Sequence, residues 1–119
     1  MTHVDFITSI ARIVREAGSA AALEALRQEH ADMPGTGPAP IAYHDTLAVF
    51  YVWAVDRLID AGLSDTRILW HPLTDPLTPL SWWDAATLAS DDARDHFVPS
   101  TRALPGEPAP CETRLLIAA

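Results

Sequence analysis

His71, Asp75 and Asp84 are the residues of this chain most obviously suited to moving a proton. They lie in the stretch Trp70-His71-Pro72-Leu73-Thr74-Asp75-Pro76-Leu77-Thr78-Pro79-Leu80-Ser81-Trp82-Trp83-Asp84, which also carries three of the four tryptophans. Imidazole changes protonation near neutrality, and a neighbouring carboxylate can orient it as a general acid or base. Trp70, Trp82 and Trp83 would exclude water from such a site and bind an apolar or cationic ligand. The same residues also have a structural use, with the aromatics plugging one end of a helix bundle and the prolines shaping a rigid turn. Adjacent side chains on a helix point in different directions, so one of Trp82 and Trp83 is expected to face a partner, a ligand or a second layer of core.

A second set of candidates begins the long apolar segment that precedes this stretch. His44 would polarise a substrate, and Tyr43 or Tyr51 would donate to a developing oxyanion. The structural alternative makes Asp45 a carboxylate at the positive end of a helix, with His44 a satisfied histidine on the face of Leu47, Ala48 and Tyr51. A third set, Asp92 and His96 with Asp91 and Asp95 beside them, has the i,i+4 spacing of one helical face. It lacks any complete zinc, calcium or di-iron pattern, so no metal site is assigned. No phosphate loop or dinucleotide fingerprint is present, and no cofactor is expected. Cys111, beside Glu112, is a poor thiolate and a poor nucleophile.

Composition narrows the classes of partner. The chain has 119 residues, 49% of them apolar, and a formal charge of -8 from 16 acidic residues against 8 arginines and no lysine. Such a surface repels nucleic-acid phosphates and anionic lipid, so neither nucleic acid nor membrane is an expected partner. A single cysteine cannot form an intrachain disulfide, and the N-terminal residues lack the pattern of a secretory leader. A cytoplasmic protein is expected.

The elements that would hold these residues follow from periodicity. Val4, Ile7, Ile10, Ala11, Ile13, Val14 and Ala17 recur at helical spacing, with Thr2 to cap the helix and Gly18 to stop it. Ser19 is a candidate cap for a second helix to about His30. Ile41 to Ala61 forms the central helix, apolar over more than half its circumference through Leu47, Phe50, Tyr51, Ala54, Leu58 and the second ridge Val49, Val52, Trp53 and Val55. Further helices are expected over 81–89 and 90–98, the latter capped by Ser90. Residues 66–70 are good strand formers and would pair with 112–118 in a minor two-stranded β element. The expectation is a single acidic, mainly α domain over 1–119 with four to five helices. Its proline-rich connections are 33–40, which would be a linker or lid, 71–80 and 99–110.

Two functions fit this reading. The preferred one is a protein-interaction or regulatory module, with homodimerisation a further option, that presents an aromatic and acidic surface. Its partner-binding residues would be Trp53, Trp70, Trp82, Trp83 and Tyr43. The alternative is a small pocket enzyme of lyase, isomerase or hydratase type acting on an apolar metabolite. His71 would be its acid or base, oriented by Asp75 or Asp84, with His44 and Tyr51 assisting.

Overall fold

A computed structural model describes residues 2–32, 44–102 and Pro110. Thr2 opens α1 (His3–Ala17) with a reciprocal pair of bonds. Its hydroxyl accepts from the Asp5 N–H at 3.1 Å, and the Asp5 carboxylate accepts from the Thr2 N–H at 3.2 Å. This capping box occupies two amides that a helix start otherwise leaves to water. Gly18, at φ +94°, then turns the chain so sharply that its own carbonyl accepts from Ala22 in α2 (Ser19–Asp32). A side chain would be strained at that φ. Ser19 is thereby the first residue of α2 rather than its cap, and it is buried.

The central helix, α3 (Asp45–Asp60), is buried without a break from Ala48 to Val55. A helix apolar on every side must be covered on every side. Here α1, α2, the short helices α4 (Asp65–Leu69) and α6 (Asp91–Asp95), and a 3₁₀ turn at Pro72–Thr74 pack around it. Complete burial of a Val or Phe side chain contributes about 1.5–3 kcal/mol, so this one helix supplies much of the core. Its entry is pinned to α2 by a bidentate ion pair. Arg27 Nε and Nη2 each lie 2.8 Å from an oxygen of Asp45, whose side chain is only 4% exposed.

Residues 66–69 are helical, not extended, and Trp70 is the C-cap of that helix. Ser64 caps α4 by accepting from the Arg67 N–H, Asp65 stands in its first turn, and Ile68 is buried. The capping pattern outweighs the β preference of Ile68, Leu69 and Trp70, because one helical turn already buries Ile68 against α3. The expected partner strand, 112–118, lies outside the described residues, among which there is no strand. The 33–40 connection and Tyr43 lie outside them too, as does 103–109 of the last proline-rich connection.

Pro72 keeps His71 out of the helical region, and the chain proceeds through 3₁₀ turns at Pro72–Thr74 and Thr78–Ser81. The helix expected over 81–89 begins only at α5 (Ala85–Leu88), capped by Asp84, so Trp82 and Trp83 are not helical. Six α-helices and two 3₁₀ turns are thus present among the described residues, more and shorter than expected. The result is a compact, mainly helical domain. None of its described helices is long and apolar enough to cross a membrane.

Candidate functional site

The four tryptophans divide sharply. Trp53, Trp82 and Trp83 are 4%, 2% and 0% exposed, whereas Trp70 is 78% exposed. Because Trp82 and Trp83 sit between two short elements rather than on a helix, the chain turns both inward. Trp83 meets Phe50 and Phe97 edge-to-face, with ring centroids 5.8 and 6.2 Å apart, and its indole N–H donates to the Val98 carbonyl at 2.9 Å. Trp82 packs edge-on against Trp53 at 5.9 Å. Its own N–H has no hydrogen-bond partner among the described residues. Arg57 covers the other tryptophan of that pair, its guanidinium carbon 5.0 Å from the Trp53 ring centroid.

Trp70 belongs to an open groove of about 540 Å³ between the start of α1 and the proline-rich segment. His3, Val4, His71, Asp75 and Pro76 are among the residues that share its lining. Four large hydrophobic side chains are exposed among the described residues: Val4, Trp70, Leu77 and Leu80. Two line this groove, and the other two sit on the segment that forms its wall. Isolated apolar side chains on a surface mean little, whereas exposed apolar side chains that share a concavity, as Val4 and Trp70 do, are what a contact site would need.

The wall is stiffened by short-range bonds. Thr74 is buried and donates to the Ile68 carbonyl at 2.6 Å, and Thr78 donates to the Pro72 carbonyl. His71 Nδ1 accepts from the Leu73 N–H at 3.0 Å. A ring nitrogen that accepts carries no proton, so the neutral imidazole bears its hydrogen on Nε2, which has no partner among the described residues. Asp75 Oδ1 accepts from the Leu77 N–H at 2.9 Å, an Asx turn that holds the carboxylate at the groove. From behind, the Tyr51 hydroxyl donates to the Asp75 carbonyl at 2.9 Å. Burial, and then the Asp75 charge, push the Tyr51 phenol well above its ordinary range, so it stays protonated.

The remaining sequence candidates lie elsewhere. His44 is the cap of α3: Nδ1 accepts from the Leu47 N–H at 3.2 Å and Nε2 donates to the Leu88 carbonyl at 2.7 Å, which occupies both ring nitrogens. Asp84 is the cap of α5, accepting from the Thr87 N–H at 2.7 Å. The Thr87 hydrogen bonds, with a smaller contribution from Arg102, hold its carboxyl below the usual range. Neither residue lines the groove. α6 stops at Asp95 and His96 is extended, so Asp92 and His96 no longer share a helical face. Among the described residues no three His, Cys, Asp or Glu side chains gather in a way that could hold a metal ion.

His3 is the groove residue that sequence reasoning missed. Its Nε2–H donates to the Thr74 carbonyl at 2.6 Å, and its ring stands edge-on to Tyr51 at 5.1 Å. The signal was in the spacing, since His3 lies four residues before Ile7 on the ridge that α1 buries through Ile7, Ile10 and Val14. Comparison with protein-family models, with curated proteins and with solved structures finds no match for this chain.

Proposed function

We propose that this chain is a protein-interaction module whose contact site is the groove around Trp70. The observation that carries the reading is the placement of exposed apolar surface: Val4 and Trp70 line one concavity, Leu77 and Leu80 follow on the proline-rich segment that helps to form it, and the other three tryptophans are core. A protruding indole in a rigid frame is the kind of anchor in which interfaces concentrate their energy. Prolines 72, 76 and 79 hold the wall in shape before binding, which reduces the ordering cost of association. The acidic composition favours a basic partner, and the single cysteine suits the cytoplasm as the proposed location.

The test is affinity capture and crosslinking with the full chain and its Trp70→Ser variant in parallel. One reproducible partner protein, held by the parent chain and lost from the variant, is the expected result. An unchanged set of captured proteins would end the proposal. A crosslinked product of two copies of this chain, abolished by the substitution, would replace the partner with self-association.

The enzyme reading draws on one observation, that His71 and Asp75 share the groove. In its neutral form His71 offers the groove an N–H rather than a lone pair, because Leu73 holds Nδ1. It would therefore donate a hydrogen bond to a developing negative charge rather than abstract a proton, and His44, Tyr51 and Asp84 would take no part. A turnover that survives His71→Gln would dismiss this reading.

A further inference from the structure

The groove's charges point to what kind of side chain fills it. Among the described residues that line it, Asp75 is the only carboxylate, none is an arginine, and the two imidazoles are the only other ionisable groups. The Asx turn to Leu77 uses Oδ1 and leaves Oδ2 without a partner among the described residues. The same groove is lined by an indole, Trp70, with most of its surface in water. An exposed indole attracts a cation to its face, and a carboxylate within the same concavity supplies the counter-charge. Of the two side chains that are cationic throughout the neutral range, only the guanidinium of arginine is planar, so it can stack on the ring and pair with the carboxylate at once, whereas the lysine ammonium is a compact and strongly hydrated point charge.

We infer that the groove seats an arginine side chain of the partner protein, its guanidinium stacked on Trp70 and paired with the Asp75 carboxylate. This rests on the interaction-module reading and names the chemistry of its anchor. The cations nearest in sequence do not occupy the groove. Arg67, one turn before Trp70 on α4, is exposed and outside the lining, and Arg102 is bonded to the Leu80 carbonyl at 3.0 Å.

The experiment titrates the full chain with N-acetyl-arginine N-methylamide and, separately, with the isosteric but uncharged N-acetyl-citrulline N-methylamide, following the amide and indole N–H signals by NMR. The arginine probe should give a saturable shift of the Trp70 indole N–H, with an affinity about tenfold above that of the citrulline probe, in line with a cation over an aromatic face plus one charged pair. Asp75→Asn preserves the acceptor for the Leu77 N–H and removes only the charge, so it should take away the charged pair's share of the arginine probe's advantage and leave the smaller share due to the Trp70 face. Arg67→Ala should leave the ranking unchanged. Equal binding of the two probes, no saturable shift from either, or full arginine affinity in Asp75→Asn would each overturn the inference. The module reading has its own readout in partner capture by Trp70→Ser, so a partner that depends on Trp70 but not on charge would sink the arginine anchor and leave the module standing.

Discussion

Trp70 and Trp83 are chemically the same side chain in opposite surroundings, and substitutions at the two should separate contact from core. Trp70→Ser removes a ring that is 78% exposed and should move the melting temperature by no more than about 2 °C in a thermal scan. Trp83→Ala removes a fully enclosed ring, two edge-to-face partners and the bond to Val98, and should cost about 3–5 kcal/mol in urea denaturation. A large loss from Trp70→Ser would mean that its ring stabilises the fold and is not spare surface. Asp56 offers a test with a defined sign. Burial, and then the charge of Asp60 one turn on, raise its carboxyl above the ordinary range. A raised acid is destabilising once ionised, so the penalty is absent below the ordinary carboxylate value and develops as pH rises through the raised one. Asp56→Asn should therefore stabilise the chain at neutral pH, and the gain should vanish in acid.

At the level of elements, caps decided what hydrophobic periodicity left open. Thr2, Ser64, Asp84 and Ser90 each accept a hydrogen bond from the first turn of a helix. The long amphipathic α1 and the largely apolar α3 were legible from spacing alone, because a 3.6-residue repeat over four turns has no competing explanation. Helices of four or five residues carry too little periodicity to be seen. Residues 66–70, most of α4, thus read as a strand, and the Asp84 cap is hidden inside a longer helix. That second difference has the larger consequence for the site, since a helix through Trp82 and Trp83 sends one of them to a partner, a ligand or a second layer of core. The groove was half legible: Trp70, His71 and Asp75 were recognisable as a group, while His3 and Val4 reach it only through the packing of α1. Asp84 supports a prediction at this scale. Its lowered carboxyl stabilises the fold above the ordinary value of about 4, and the benefit is lost as pH falls through the lowered one. Asp84→Asn should be less stable than the parent chain at neutral pH, and the two should converge in acid when compared by denaturant titration. Persistent separation at low pH would show that the amide fails as a cap.

Across the whole molecule, three layers of contact radiate from α3. The α1–α2 hairpin covers one side, the Trp82–Trp83 junction with α6 covers another, and the proline-rich segment leans on Tyr51. Thr46 fastens the far side, its hydroxyl donating to the His96 carbonyl at 3.0 Å and accepting from the Val98 N–H at 3.2 Å. The fold thus devotes nearly all its aromatic surface to joining segments distant in sequence, and this is why a chain with four tryptophans shows only one to the solvent. The bond from His3 to the Thr74 carbonyl ties the first turn of α1 to the groove wall. Fraying of that helix end and occupation of the groove are then competing states of one equilibrium. A ligand that contacts His3 and Val4 has to close the helix end before it can bind, and once bound it keeps that end closed. The Phe6 amide, bonded to the Thr2 carbonyl at 3.0 Å, reports on the opening. Its hydrogen exchange should slow by about elevenfold when the free ligand stands at ten times its dissociation constant, while amides in the middle of α3 respond only to global unfolding.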